Sequence, residues 1–515
     1  MNIIKNIPAF FSSKNKQLLF VLIVVHICIA YYFIGKQNIT SDEPSYIEYS
    51  KRWLHGKPER IEPLDDSKTP VISIVWLPRI VHQIISPSYQ RDDFGRKDQQ
   101  EGRYMMIIFS IATLIYLYKF CQLFQLNKWW AMFLFFIADP LIIAYAVLIN
   151  SDLLSGLVLL ATLYHLYHYL YHQSNKHFMY SCIWLATGLV TKHTFLFFIP
   201  AYWLMIVVTK RKIEWKKVGQ FIGIVWLIIN VWFYFHHSFK TLGSYHFQSN
   251  TFLNIQDALS FIKWLPIPVP ETYLQSMDML QYHAQIGGSA ENTYPGVYIL
   301  GNVKLHGGYW YYYLVSLWYK FPLSILMLLL IGIVWALLKY QIVLKKYWVL
   351  IFPVVYFFIV LSTFNSFQIG IRHLLIILPL LYVLLAVVIH KLLTTKMQWS
   401  VVALWLFMLI SVGKYYTDVI PYTNELITNK AKVYEKLMDS NIDYGQGGLD
   451  AKYFLQQHTD YSTPTAIPQK GKYFVSMDDI VLHKIHNDTS WNWLIQHYEP
   501  IGIFRNVYLQ YDVKE

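Results

Sequence analysis

The chain has 515 residues, of which 55% are hydrophobic and only 14% are charged, and its mean hydropathy is +0.33. So few polar side chains cannot cover a water-soluble surface, and the composition argues against a soluble enzyme, a coiled coil or a disordered chain. The net charge of +12 lies largely in short loops between apolar runs. It therefore indicates orientation in a bilayer, and no nucleic-acid partner is expected.

The apolar runs predict a polytopic α-helical membrane protein. A bilayer core of about 30 Å requires about 20 apolar helical residues. Runs of this kind predict about eleven transmembrane helices, at 17–35, 104–121, 129–150, 153–171, 178–191, 193–209, 218–237, 316–338, 347–363, 372–390 and 399–416. With the N-terminus inside, the short inner segments hold 16 Lys and Arg and one acidic residue, Glu214. The positive-inside rule then predicts a cytoplasmic N-terminus and an external C-terminus.

Three large segments are predicted to face outward, at about 36–103, about 238–309 and about 417–515. The first two are loops with amphipathic helices, belonging to a transmembrane domain of residues 1–416. Residues 417–515 combine helix and strand patterns, which predicts a small extracytoplasmic α/β domain. Because transporters usually keep their loops short, this one-sided mass indicates chemistry on the outer face.

The first outward loop opens with a predicted helix that carries two adjacent carboxylates. Ser41 or Asp42 suits its N-cap and Pro44 its first turn. Asp42 and Glu43 then lie at the positive end of the helix dipole, which favours their ionised form. Tyr46 follows on the same helix, which we expect to lie in the membrane interface with its aromatic side down. The alternative for this stretch is an ordinary capped surface helix.

Further ionisable residues are expected at the same membrane level. They are Asp152 and Lys192 in short outer turns, Lys320 at the outer end of a span, and Arg372 with His373 at the start of another. Each alone is explained by an interfacial anchor or a snorkelling side chain. Acids and bases gathered at one depth, however, are typical of a functional site.

Such a set of groups has a chemical use. A carboxylate can accept a proton from a hydroxyl nucleophile, and Lys and Arg can neutralise a phosphate leaving group. A site at the membrane surface suits a lipid-tailed substrate with a phosphorylated head. The cluster around Tyr309 and Trp310 offers aromatic faces for a sugar, although an interfacial aromatic belt explains it equally well.

The ordered motifs resemble a known class of enzymes. They include Asp42-Glu43, Ala138-Asp139-Pro140, Asn150-Ser151-Asp152, Thr191-Lys192, Lys320-Phe321-Pro322, Gly370-Ile371-Arg372-His373 and Asp439-Ser440-Asn441-Ile442-Asp443-Tyr444-Gly445. In this order they resemble the lipid-carrier-dependent glycosyltransferases of the GT-C class, near the protein O-mannosyltransferase and aminoarabinose transferase families. The similarity is greatest to a bacterial branch with an extracytoplasmic C-terminal domain. This sequence departs from the pattern at Tyr444, where Trp is expected, and at Gly447-Gly448.

The resemblance implies an inverting transfer of a sugar from a polyprenyl phosphate donor to a hydroxyl acceptor on a protein, lipid or polysaccharide. It implies that Asp42 is the catalytic base or the carboxylate that orients the acceptor, with Glu43 beside it and Asp152 as a second acidic catalytic residue, while Lys192 and Arg372 hold the donor phosphate. From the residue pattern we also expect His373 and Lys320 at the donor phosphate, and Tyr46, Tyr309 and Trp310 as sugar or acceptor contacts. A divalent cation near Asp152 stays open. The expected location is a bacterial plasma membrane, with the site on its extracytoplasmic face and membrane lipids around the chain.

Two other functions remain alternatives to the glycosyltransferase. One is a multi-span lipid or glycan transporter, which the many spans would serve. The other is a catalytically silent scaffold of envelope enzymes. A substitution at Asp42 separates them, because only the enzyme requires that carboxylate.

Overall fold

A computed structural model describes residues 13–61, 65, 67–86, 96–209, 214–286 and 296–514. Within these ranges the chain is mostly helical, with twenty α-helices and six short strands. The helices up to residue 416 are α1 (Ser13–Lys36), α2 (Glu43–Leu54), α3 (Leu77–Ile85), α4 (Arg96–Leu123), α5 (Trp129–Ala138), α6 (Pro140–Tyr145), α7 (Asp152–His172), α8 (Asn175–Leu189), α9 (Phe198–Val208), α10 (Trp215–Trp232), α11 (Asn250–Ala258), α12 (Glu271–Ile286), α13 (Tyr312–Lys320), α14 (Leu323–Leu338), α15 (Tyr340–Phe364), α16 (Leu378–Leu393) and α17 (Gln398–Gly413). Turns of 3₁₀-helix at Pro70–Trp76, His193–Phe197 and Ile371–Ile376 lead into α3, α9 and α16.

Four helices are long and apolar enough to cross a membrane, at Lys14–Lys36, Gln99–Leu123, Asp152–His172 and Tyr340–Phe364. Shorter apolar helices of 10–17 residues accompany them, among them Trp129–Ala138, His193–Val208, Leu323–Leu338, Leu378–Leu393 and Gln398–Gly413. Each predicted span overlaps a helix of the structure. The apolar helices support an integral membrane protein, while the count of eleven and the orientation stay predictions.

The predicted span 129–150 is interrupted in the structure. Helix α5 ends at Ala138, and Asp139 is the N-cap of α6, where its Oδ1 accepts the N–H of Leu141 at 2.8 Å. The Tyr382 hydroxyl donates to the other carboxylate oxygen at 2.5 Å. Both oxygens of this buried side chain are thereby satisfied, which explains how an acid is tolerated inside an apolar layer. Asp139 therefore shapes the backbone at this break.

Helix α2 presents its aromatic side to protein. Tyr46 and Tyr49 are buried, and α2 packs against the 3₁₀ turn Pro70–Trp76 and the start of α4. Trp53 stacks on Trp232 at the end of α10, with ring centroids 5.4 Å apart. The expected position of this aromatic side in the membrane interface is therefore wrong, since neighbouring segments cover it.

Residues beyond 416 contain a four-stranded sheet. Its strands are β3 (Tyr461–Ser462), β4 (Gly471–Ser476), β5 (Gly502–Phe504) and β6 (Tyr508–Val513). Strands β1 (Val297–Ile299) and β2 (Asn302–Lys304) form a separate hairpin earlier in the chain. The sheet order is β3-β4-β6-β5, with β3 and β4 parallel and the other pairs antiparallel. Helices α18 (Gly448–Gln457), α19 (Met477–Ile485) and α20 (Asn492–His497) accompany it. A domain boundary at 416/417 stays a prediction.

The loop before this sheet packs directly against the helical part of the chain. Asn441 is central to the contact: its Oδ1 accepts the N–H of Ile371 at 2.9 Å, and its amide donates to Tyr312 at 3.1 Å. The Ser440 hydroxyl donates to the carbonyl of Ile369. Gly370 has a φ of +142°, and a Cβ there would collide with Ser440. This close approach fixes the turn that presents Arg372.

Candidate active site

Asp42 meets two side chains from distant parts of the sequence. Arg372 donates from Nη1 to Asp42 Oδ2 at 2.7 Å, and the Tyr444 hydroxyl donates to the same oxygen at 2.6 Å. The Arg372 guanidinium also lies over the Tyr444 ring, 4.7 Å from its centroid. Asp42 is the N-cap residue of α2, but its side chain makes no capping hydrogen bond. Its carboxylate is thus turned toward the other elements of the site.

A second ion pair is formed by Asp152 and Lys192. Asp152 is the first residue of α7, and Lys192 Nζ donates to its Oδ1 at 2.5 Å. Asp152 Oδ2 and Arg372 Nε are both buried, and neither has a hydrogen-bond partner among the described residues. Buried polar atoms are normally paired. Asp152 Oδ2 and Arg372 Nε are therefore an acceptor and a donor that a polar ligand can use.

Tyr46 and Lys68 connect the two ion pairs. Lys68 Nζ lies over the Tyr46 ring, 4.0 Å from its centroid. The charges of Asp42, Asp152 and Arg372 all act on both Tyr46 and Lys68. The neighbouring Thr69 hydroxyl donates to the carbonyl of Thr191 at 2.6 Å, which anchors this loop beside Lys192. Four residues singled out from the sequence, Asp42, Asp152, Lys192 and Arg372, therefore lie in one cluster.

The cations determine the ionisation of Asp42. Burial by itself would raise the pKa of Asp42, but the charges of Lys68 and Arg372 and the hydrogen bond from Tyr444 hold it well below its ordinary value. Burial lowers the pKa of Lys68, and Asp42 partly offsets that effect. Burial raises the pKa of the Tyr444 hydroxyl well above its ordinary value, so it acts as a donor to the carboxylate. The resting site contains an ionised Asp42 held by neutralising partners.

Glu43 points away from this cluster. Its carboxylate accepts two hydrogen bonds from Arg103, from Nε and Nη2, each at 2.7 Å. Further donors are the Gln99 amide at 3.0 Å and the Thr40 and Ile149 backbone N–H groups at 2.9 and 3.2 Å. Both charged side chains are essentially inaccessible, with exposed fractions of 0% and 1%. These contacts favour a structural ion pair over the catalytic role expected from the sequence.

His373 and Lys320 differ in their relation to the cluster. His373 Nδ1 accepts from Asn365 at 3.0 Å and contacts the Tyr313 hydroxyl at 3.2 Å, and the charges of Lys192 and Arg372 act on the ring. His373 therefore borders the site. Lys320 is buried and donates to two backbone carbonyls, of Ile420 at 2.7 Å and Asn441 at 2.5 Å. Its ammonium group holds the C-terminal loop, and these contacts favour anchoring over phosphate binding.

The aromatic residues expected to contact a sugar lie in different surroundings. Tyr46 is buried inside the cluster. Tyr309 is half-buried, and its backbone N–H donates to Gln368 at 2.8 Å. Trp310 is exposed. Only Tyr46 has a described contact with the ion-pair cluster, so sugar contact by Tyr309 and Trp310 stays a prediction.

Sequence reasoning missed Lys68 and Tyr145 and recorded Tyr444 only as a departure from the expected pattern. Lys68 lies in a polar stretch of loop with no local signal. Tyr145 is the last residue of α6, and the charges of Arg372, Asp152 and Asp42 act on its hydroxyl. Within a predicted span it looks like any interfacial tyrosine.

The carboxylates do not form a metal site in this arrangement. Across the described ranges, no group of three or more His, Cys, Asp or Glu side chains is arranged to hold a metal ion. Asp42 and Asp152 are each paired with a cation, Arg372 and Lys192. These pairings do not fit a divalent cation beside Asp152, which the sequence analysis leaves open, and no step of the reaction is assigned to such a cation.

Comparisons with known proteins bear on this cluster. The crystal structure of ArnT from Cupriavidus metallidurans bound to undecaprenyl phosphate is similar over 97% of this chain and 98% of that chain, with 10% identity and a TM-score of 0.49. A likeness at this level carries no argument. No curated protein matches the chain. Residues 73–235, about a third of the chain, match the family described as dolichyl-phosphate-mannose-protein mannosyltransferase. This match, over the stretch that carries Asp152 and Lys192, confirms the resemblance to the lipid-carrier-dependent GT-C glycosyltransferases.

Proposed function

We propose that the chain transfers a sugar, with inversion, from a polyprenyl-phosphate-linked donor to a hydroxyl acceptor at the outer face of the membrane. One observation carries the proposal. Asp42 and Arg372 are 330 residues apart in sequence, yet their side chains meet at 2.7 Å beside the Asp152–Lys192 pair. A base and several phosphate-binding cations in one cluster are what this reaction requires.

Asp42 is the base in this proposal. Its Oδ2 is held by Arg372 and Tyr444, whereas its Oδ1 accepts no hydrogen bond within the described part of the chain. Oδ1 takes the proton from the acceptor hydroxyl as that oxygen bonds to the anomeric carbon of the donor. The bond from that carbon to the phosphate oxygen breaks, and its electron pair leaves with the phosphate. Attack opposite to the leaving group inverts the anomeric configuration.

Arg372 and Lys192 bind the departing phosphate. Arg372 can grip two phosphate oxygens, while Lys192 supplies a point charge. Both cations are paired with carboxylates in the resting site, so the donor phosphate competes with Asp42 for Arg372. When the guanidinium turns to the phosphate, Asp42 loses a neutralising partner and its pKa rises. Donor binding thereby makes Asp42 a stronger base.

The family match supports this assignment, because its printed description names a lipid phosphate sugar donor and a protein acceptor. We propose a polyprenyl phosphate sugar as the donor and leave the sugar and the acceptor to experiment. A bacterial plasma membrane, with the site outward, remains part of the proposal.

Asp42→Asn tests the base directly. A strain lacking the gene is complemented with the wild-type chain, with Asp42→Asn, or with the matched control Glu48→Gln, which removes a carboxylate from the same helix outside the cluster. Carrier-linked sugars and envelope glycans are compared by mass spectrometry. We expect Asp42→Asn to reduce transfer at least 100-fold and to accumulate the carrier-linked sugar, while Glu48→Gln retains transfer.

Undiminished transfer by Asp42→Asn would refute the catalytic assignment. Arg372→Lys in the same experiment examines the phosphate site, because it retains the charge but loses the bidentate fork. We expect a donor KM raised about tenfold with a smaller change in kcat. Movement of a carrier lipid across the membrane without any sugar transfer would instead favour a transporter.

A further inference from the structure

A polar cavity lies at the end of α4 opposite to the Asp42 cluster. It has a volume of about 290 Å³ and is lined by the end of α4, the start of α15 and the end of α16. Arg103, near the start of α4, binds Glu43 next to the ion-pair cluster, whereas Phe124, just past its end, lines this cavity. Twenty helical residues span about 30 Å, the thickness of the bilayer core. The cavity therefore lies about one bilayer thickness away from the Asp42 cluster.

The rim of this cavity is cationic. Lys346 and Lys391 are exposed, and neither has a carboxylate within ion-pair distance in the part of the chain that the structure describes. Lys391 Nζ lies over the Trp335 ring, 3.7 Å from its centroid. His390 lines the same cavity, and the charges that act on it come from Lys346, Lys128 and Lys391. All of these charges are positive.

Hydrogen-bond donors and an apolar floor complete the cavity. The backbone N–H of Lys128 donates to His390 Nδ1 at 3.4 Å, so the proton of the neutral ring is on Nε2. Gln125 and Thr394 add polar groups at the rim. The floor is apolar and includes Phe124 and Tyr347, whose ring centroids are 5.1 Å apart. Cations and donors above an apolar floor match an anionic head joined to a hydrocarbon tail.

We propose that this cavity binds the phosphate group of an anionic lipid in the leaflet opposite the Asp42 site. Uncompensated cations near a membrane surface attract anionic lipids, and basic pockets between membrane helices bind their head groups. A cavity of 290 Å³ accommodates a phosphate and its glycerol. The proposal is independent of the glycosyltransferase function, because none of these residues takes part in the Asp42 cluster.

The test uses the full chain in nanodiscs of phosphatidylcholine with increasing phosphatidylglycerol, and native mass spectrometry counts the retained lipids. We expect one tightly bound phosphatidylglycerol, and we expect Lys346→Gln/Lys391→Gln to weaken it about tenfold. The matched control Lys176→Gln/Lys216→Gln removes the same charge from the same membrane surface outside the cavity and should change affinity less than twofold. Thr394→Trp leaves every cation in place but narrows the mouth, and should also weaken binding.

An equal loss of phosphatidylglycerol binding in the cavity variant and in the control would overturn the proposal, because general surface charge would then explain the binding. Full binding by Thr394→Trp would likewise overturn it. Inorganic phosphate is added to nanodiscs of phosphatidylcholine alone and to nanodiscs that also contain phosphatidylglycerol. This comparison separates binding of free phosphate from binding of the lipid phosphate. If phosphate binds alone and phosphatidylglycerol is not retained, the lipid assignment is wrong.

Discussion

The buried pair of Glu43 and Arg103 provides the sharpest test of how this site is built. Arg103→Met leaves the Glu43 carboxylate without its bidentate partner in a place where both side chains have almost no contact with solvent. Removing one partner of such a pair costs about 3–5 kcal/mol of folding free energy, because an uncompensated charge remains buried. Glu43→Gln likewise leaves the buried Arg103 guanidinium without its carboxylate partner, although its bonds to the carbonyls of Gln37 and Asn38 remain.

The double variant Glu43→Gln/Arg103→Met removes both charges. It should be more stable than the sum of the two single losses predicts, by at least about 2 kcal/mol of coupling. Thermal unfolding followed by Trp fluorescence measures this. For a chain of this length each single variant should lower the midpoint by about 3–5 °C.

The same variants decide whether Glu43 is catalytic. A structural pair predicts that the double variant, once folded, retains kcat within about a factor of ten. If Glu43→Gln keeps its unfolding midpoint but loses kcat 100-fold or more, the structural interpretation is refuted and the original expectation for Glu43 stands.

Three further predictions follow from charge and backbone geometry. Lys68→Gln removes a cation that lowers the pKa of Asp42. The acid limb of the pH–rate profile should therefore move to higher pH, by about one unit. An unmoved limb would show that Lys68 does not influence the ionisation of Asp42. Burial raises the pKa of Asp418 to about 6, so the folded state binds this proton more tightly and stability falls as pH rises from about 4 to 6. Asp418→Asn should flatten that fall and stabilise the chain at pH 7 by up to about 3 kcal/mol, which unfolding midpoints at pH 5 and 7 measure. Gly445 has a φ of +78°, and a Cβ there would collide with Ser41. Gly445→Ala should displace the loop that carries Tyr444, so the rate of sugar transfer should fall while the unfolding midpoint changes little. An unchanged rate of transfer would show that the loop adapts.

Much of the cluster could be predicted from the sequence, because membrane insertion sorts residues by depth. Apolar runs indicate which loops share a face, so the sequence predicts Asp42, Asp152, Lys192 and Arg372 at one level. Their convergence follows from helices that all end at that level. The clear apolar runs likewise identify helices, while breaks such as Asp139-Pro140 shift their ends.

Other features have no local signature in the sequence. Asp42 and Glu43 look equivalent as neighbours, but successive helical residues point about 100° apart, so one faces the cluster and the other faces α4. Which of them meets Arg372 is determined by tertiary packing. Lys68 is held at the cluster by a loop contact between Thr69 and Thr191, and no periodicity in the sequence predicts that contact. The roles of Lys320 and Tyr444 depend on how the last fifth of the chain docks.

In the proposed function, that docking makes activity depend on the order of synthesis. Tyr444 reaches Asp42 across 402 residues of chain, and the loop that carries it also holds the turn before Arg372. A nascent polypeptide that ends before residue 444 lacks the phenol that binds the Asp42 carboxylate. If Asp42 is the base that we propose, chains truncated before Tyr444 would be inert in the bilayer.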